Sequence, residues 1–110
     1  MTQCKYHGTT EILSAAAATG AGSAFVTPWQ WRKNADGISW QTIITGSPSA
    51  VTLNLEGSLD NTNWTAIDAQ STASSKLNHS TSPVPNFIRA NVTGLTGGST
   101  PTVTVKAQKG

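Results

Sequence analysis

The sequence predicts an all-β chain folded as an antiparallel β-sandwich, jelly-roll-like, of six to eight short strands. Three observations carry this. Charged residues make up only 11% of the 110 residues, under half the usual share, while Ser and Thr together number 29, a composition that favours strands and a hydroxyl-rich surface. Apolar and polar residues alternate at a period of two in several short segments. Those segments recur at spacings of roughly ten residues, with Gly or Pro between them and no convincing long helix.

A chain of this length buries one core and is too short for two, so one domain is expected. Residues 1–8 read as an N-terminal arm, polar apart from Tyr6 and without periodicity. Residues 9–110 form the sandwich. Within 9–27, the run from Glu11 to Ala18 has good helix propensity, but Thr19-Gly20-Ala21-Gly22 would end a helix after two turns. Two short strands around a glycine turn fit the β-rich surroundings better. Pro28 to Gly37 is expected to be a loop carrying Trp29, Trp31, Arg32 and Lys33. Ile38 to Ile44 alternates as a strand with Trp40 in the core, and Gly46 to Ser49 closes it.

The stretch from Val51 to Asp68 reads as a hairpin. Val51, Leu53 and Leu55 face inward, Gly57 ends the first strand, and Ser58 to Asn63 is a polar tip of residues that tolerate turn dihedrals or bond their own backbone. Trp64 to Ile67 resumes the extended pattern, with Trp64 packed against the hairpin. From Ala69 to Asn86 apolar anchors are few; Leu77 marks a brief strand, and His79 is expected in a Ser/Asn-rich loop. Phe87 to Thr93 is a strand with Ile88, Ala90 and Val92 inward. Gly94 to Pro101 is a turn-rich connection, and Thr102 to Ala107 a final strand with Val103, Val105 and Ala107 on one face.

The net charge of +2 comes from seven Lys and Arg placed singly, with Arg32 and Lys33 the only adjacent pair. Nucleic-acid binding needs clustered cations, so no nucleic-acid partner is expected. No run of apolar residues reaches the length of a membrane span, and residues 1–20 lack the charged and apolar regions of a secretion signal. The single cysteine, Cys4, allows no internal disulfide, which fits synthesis in a reducing cytoplasm. Three tripeptides match the N-glycosylation pattern, at Asn63, Asn78 and Asn91, and chance in a Ser/Thr-rich chain accounts for them.

No constellation for catalysis emerges. A hydrolase needs a nucleophile, a base and a group that orients the base, yet His7 and His79 lie in no such motif. Glu56 and Asp60, two of the five carboxylates, read as a solvated strand face and a turn former rather than a glycosidase pair. Cys4 and His7 have the spacing of half a zinc site, but a closed site needs four ligands and only His79 remains as a conventional nitrogen partner. Asp60, Asn61 and Asn63 offer oxygens to Ca²⁺ around one carboxylate, for which a plain Asx turn is the simpler account. No catalytic residue, metal or cofactor is therefore expected.

Trp29 and Trp31 are one residue apart, so in an extended segment both indoles project to one side. Three readings stand: an indole caps the sandwich end with Arg32 over it; the pair anchors a subunit contact, where Trp and Arg are enriched; or the pair is a sugar-stacking platform. The partner-binding residues expected are Tyr6 and His7 of the arm with Trp29, Trp31, Arg32 and Lys33 of the loop.

The segment GSLDNTNWTAI, with Gly57, Ser58, Asp60, Asn63 and Trp64, and the later NFIRANVTGLTGGSTPTVTV, with Ile88, Arg89, Ala90, Asn91, Val92 and Thr93, resemble small β-sandwich structural proteins of tailed bacteriophages. The alanine-rich opening EILSAAAATGAGSAF adds to the resemblance, which covers most of residues 11–107. It implies a virion protein: a capsid decoration or accessory protein that binds the major capsid protein or other virion subunits, or a similar module of the tail or neck. Trimeric homo-oligomers are expected by the same analogy. Related strand-turn-strand patterns occur in carbohydrate-binding sandwiches, which keeps a glycan partner open. The loop Thr27 to Gly37 and the arm with Cys4 depart from the common pattern and are where anything particular to this protein is expected.

Overall fold

A computed structural model describes residues 9–33, 37–81 and 83–110, without the side chains of Gln30 and Lys33. The expected arm, with Tyr6 and His7, lies outside the described residues. The strands are β1 (Thr10–Ala16), β2 (Gly20–Ala21), β3 (Phe25–Val26), β4 (Ile38–Thr45), β5 (Ala50–Ser58), β6 (Thr65–Gln70), β7 (Lys76–Ser80), β8 (Phe87–Thr96) and β9 (Thr102–Lys109), with one helical turn, α1 (Trp29–Lys33), between β3 and β4.

The strands form two antiparallel sheets. The first has the order β1-β9-β4-β7 and the second β2-β8-β5-β6, with β3 also paired to β8. β2 pairs Val92 and Asn91, β3 pairs Ile88 and Phe87, and the Gly22 N–H donates to the Ala90 carbonyl between them at 2.7 Å. β2 and β3 are thus two halves of one interrupted strand, and the sandwich has eight. Pairing β1 with β9, β2/β3 with β8, β4 with β7 and β5 with β6 describes one long antiparallel ribbon rolled into two layers, the jelly-roll arrangement. Its closing turn is the β5–β6 tip.

Alternation places the core as the sequence predicts. Val51, Leu53 and Leu55 of β5, Ile88, Ala90 and Val92 of β8, and Val103, Val105 and Ala107 of β9 are all buried, with Ile38 and Trp40 of β4. β6 begins at Thr65 and runs to Gln70, and β9 runs on to Lys109; two further boundaries differ at glycines. β5 runs through Gly57 to Ser58, because a Cβ at Gly57 would lie 2.6 Å from the Pro85 ring and only glycine leaves that approach open. β8 continues through Gly94 to Thr96 instead of ending at Thr93. A bulge at Thr93 separates the Thr52–Gly94 and Leu53–Val92 pairs, and the Thr52 hydroxyl fills the place of the missing Gly94 Cβ. The residues around His79 form β7 rather than a loop.

Towards β6 and β7 the interior turns polar. The Trp40 indole N–H donates to Asp68 at 2.8 Å. The fully buried Thr42 hydroxyl donates to the Gln70 carbonyl oxygen at 2.9 Å and accepts from the Lys76 N–H at 3.0 Å. The Gln70 oxygen also accepts from Asn78, and its amide nitrogen donates to the carbonyls of Thr72 and Ser74. The polar atoms of Trp40, Thr42 and Gln70 are thus each met, as burial requires. No described helix is long and apolar enough to cross a membrane.

Candidate functional site

Register puts the starts of β1, β4, β6 and β8 and the ends of β5, β7 and β9 at one end of the sandwich. That end also carries α1, the β5–β6 tip and the β7–β8 connection; the opposite end carries the short turns 17–19, 46–49, 71–75 and 97–101. The two ends differ in chemistry. Of the four exposed large hydrophobic residues among the described ones, three belong to the first end: Val26 (64% exposed), Trp29 (59%) and Leu59 (73%). The turns of the other end are built from Ala, Gly, Ser, Thr and Pro.

The first end is held by a ladder that continues the sheet. Buried Thr27 donates its N–H to the Asn86 carbonyl at 2.9 Å and its hydroxyl to the Pro85 carbonyl at 2.6 Å. The Asn86 amide donates on to the Leu59 carbonyl at 3.2 Å. Pro28 then opens the helical turn, its carbonyl accepting from the Trp31 N–H at 2.9 Å, a place where proline's fixed φ suits a helix start.

This turn overturns the extended geometry expected for the two tryptophans. Two residues along a helix rotate a side chain by about 200°, so the indoles leave on opposite sides. Trp31 is 4% exposed and packs on Phe25 with ring centroids 5.4 Å apart, while Trp29 faces out. Arg32 donates to the Thr27 carbonyl at 3.3 Å across the base of the turn. Of the three readings, capping holds for Trp31, which leaves the set of surface anchors. Trp29 and exposed Arg32 stay in it, the Lys33 side chain is outside the description, and a platform of two parallel indoles does not form.

The tip beside α1 is fixed by Asp60. Its carboxylate accepts from the backbone N–H groups of Asn63 (2.8 Å) and Thr62 (2.9 Å), from the Asn63 amide (2.8 Å) and from the Ser58 hydroxyl (3.0 Å). Ser58 in turn accepts from the N–H groups of Asp60 and Asn61. The Asn63 and Thr62 N–H groups, then the two side chains, hold the Asp60 carboxyl well below the usual carboxylate range. Its oxygens serve the turn, as the Asx-turn reading expects. Between the tip and the β7–β8 connection runs an open groove of about 350 Å³ bordered by Gly57, Leu59, Asn63, Ile67, Pro83 and Pro85.

A second feature, on the outer face of the β8 sheet, escaped the sequence reading. Arg89 donates to Glu56 at 2.7 Å, Asn91 donates to the same carboxylate at 3.0 Å, and the guanidinium lies 4.2 Å over the Trp64 ring. Trp64, which leads into β6, thus packs on the arginine of β8 beyond the intervening β5, and the Glu56–Arg89 register pair supplies the signal only once the strands are aligned. The asparagines of all three glycosylation tripeptides have their amides engaged, with Asp60, Gln70 and Glu56. His79 meets the Ser39 hydroxyl at 3.2 Å. Among the described residues no group of three or more His, Cys, Asp or Glu comes together as metal ligands would.

No family model matches the chain, and no curated protein does. Among solved structures it is similar to the crystal structure of the SPBc2 prophage-derived protein YomS, with a TM-score of 0.62 and 16% identity over 91% of this chain and 88% of that one. That is a likeness of fold.

Proposed function

We propose that the chain is a non-enzymatic structural protein of a phage virion, a capsid decoration or accessory protein that docks through its apolar end. The observation that carries this is the two-ended surface: Val26, Trp29 and Leu59 exposed at one end and hydroxyl-rich turns at the other. Monomeric proteins rarely gather exposed apolar groups without a partner to cover them. The prophage origin of a protein sharing the fold supports the phage assignment, alongside the GSLDNTNW and IRANVT segments. Jelly rolls also recur in capsid and lectin domains, so the fold by itself leaves the role open.

The mechanism is mass action. A protein that binds only the assembled shell, at a free concentration of 100 times its Kd, stabilises the shell by about 2.7 kcal/mol per site. A sandwich with short, hydrogen-bonded turns loses little order on docking. The partner is the major capsid protein or another virion subunit, met by Trp29 and Arg32 and by the arm, which joins β1 at Thr9 on the docking end. The same docking end would serve a tail or neck module, and copy number separates the two: hundreds per particle for a head or tail tube, a handful for a neck.

Co-sedimentation tests the proposal. The chain should pellet with purified particles of its source phage, and deleting residues 2–8 should abolish pelleting while far-UV circular dichroism stays unchanged. Absence of the protein from every mature particle by mass spectrometry, or full attachment by the deleted chain, would overturn the docking proposal or the arm's part in it, respectively.

A further inference from the structure

The outer face of the β1-β9-β4-β7 sheet holds a second, smaller recess, of about 150 Å³, lined by Thr9, Ser39, Gln41, Leu77, Lys106 and Gln108. It is built on rigid strands. Gln41 of β4 is the register partner of both Lys106 and Leu77, and Ser39 that of Gln108 and His79, so two adjacent cross-strand rows form its walls. The Thr9 hydroxyl donates to the Gln108 carbonyl oxygen at 3.2 Å, which fixes that amide with its NH₂ group left as donor.

Lys106 makes no salt bridge with another described residue. Glu11, its register partner across the β1–β9 ladder, shares its face and also borders a separate groove with Ile12, Leu13 and Gly22. No carboxylate lines the recess itself, where Lys106 stands with Gln41 and Gln108. Beside them Leu77, 71% exposed, offers a large apolar wall.

We infer that this recess binds a carboxylate carried on a short aliphatic stem: the charge goes to Lys106, the oxygens accept from the Gln41 and Gln108 amides, and the stem lies on Leu77. Charge-assisted hydrogen bonds are stronger than those between neutral groups. A recess of about 150 Å³ has room for several waters, and so for a ligand of a few heavy atoms. Two sources share this chemistry, a free short-chain acid and the C-terminal residue of a polypeptide. The recess opens on the outer face of the sheet, beside the docking end to which Thr9, Ser39 and Gln108 belong; binding of a small acid to it is read separately from attachment to particles.

The test is a titration of the ¹⁵N-labelled chain with sodium acetate, sodium butyrate and N-acetyl-leucine at fixed ionic strength, with sodium chloride as control. Saturating shifts are expected at the side-chain amides of Gln41 and Gln108, with butyrate bound several-fold more tightly than acetate. Lys106→Gln should weaken both by on the order of tenfold, the equivalent of one charge-assisted contact. Leu77→Ala should remove the advantage of butyrate and leave acetate unchanged. Both positions are on the surface, and the same spectra show that the variants are folded; Gln41→Ala serves as a second test of the donor set. Tighter binding of N-acetyl-leucine identifies a polypeptide terminus, and tighter binding of butyrate a free acid. Shifts that chloride reproduces, or that Lys106→Gln leaves intact, would overturn the assignment.

Discussion

Replacing Thr42 with Val separates two accounts of the interior by the sign of a single number. The side chains have nearly the same shape and Thr42 is fully buried, so no cavity forms. If burial alone mattered, exchanging a hydroxyl for a methyl would stabilise the fold by roughly 1 kcal/mol. The hydroxyl, however, donates to Gln70 and accepts from the Lys76 N–H. Losing the first bond costs about 1 kcal/mol, and leaving the Lys76 N–H without an acceptor costs about 1–3 kcal/mol. Set against the apolar gain, the net is a loss of about 2 kcal/mol, which lowers Tm by about 8–16 °C in a domain of this size. Thermal and urea unfolding followed by circular dichroism read it directly. Exposed Thr65→Val is the control and should stay within about 0.5 kcal/mol of the parent. Gln70→Leu combined with Thr42→Val should lose less than the sum of the single changes, by about 1 kcal/mol or more. A Thr42→Val protein as stable as the parent, or more so, would refute the claim that the polar interior is a coupled network.

The tryptophans of α1 should part company in the same assay. Trp31→Ala empties a core position and should cost about 3–5 kcal/mol, whereas Trp29→Ala should change stability by less than about 0.5 kcal/mol and weaken attachment to particles. Equal effects on stability would contradict the opposed indoles. The Asp60 carboxyl is depressed in the folded chain, so its contribution is present above the ordinary carboxylate range and declines as pH falls from there towards the folded value. The Thr62 and Asn63 amides should therefore remain protected from hydrogen exchange at neutral pH and lose protection in Asp60→Ala; unchanged exchange in that variant would mean that the carboxylate does not hold the tip.

How much was legible in the sequence followed from the range of the forces involved. β5, β8 and β9 announced themselves through Val51/Leu53/Leu55, Ile88/Ala90/Val92 and Val103/Val105/Ala107, because a period of two needs only neighbours to be recognised. The single turn at Trp29–Lys33 is too short to show helical periodicity, and the extended geometry assumed in its place put both indoles on one side. Thr42 and Gln70 face inward although both are polar, since each satisfies the other across 28 residues of sequence. No local pattern encodes that distance. Gly94 read as a turn because glycine often marks one; here it admits the Thr52 side chain inside a continuing strand. The end proposed to dock was partly legible, as Trp29 and Arg32 were singled out, but Val26 and Leu59 became part of it only when the ribbon brought the two turns to the same end.

The edges of the two sheets bear on how such a chain meets its neighbours. An exposed edge strand is a template for pairing with another chain unless it is short, bulged or broken. β1 carries two register shifts against β9, β2 and β3 are interrupted at Gly22, β6 shifts register opposite Leu55 and Glu56, and β7 has five residues. All four edges are thus blunted, and growth by strand addition would have to straighten at least one of them. Contacts are left to the faces and the ends. At the hydroxyl-rich end, Ser49 bonds the Thr96 carbonyl through both its N–H and its hydroxyl, and the Ser99 N–H bonds the Gly46 carbonyl, so its polar groups are partly spent on the fold itself. At the other end, the side chains of Val26 and Leu59 remain mostly exposed. Burying them would yield about 25 cal/mol per Å² of apolar area, and under the proposed docking the sandwich would stand end-on upon its partner with the hydroxyl-rich turns facing water.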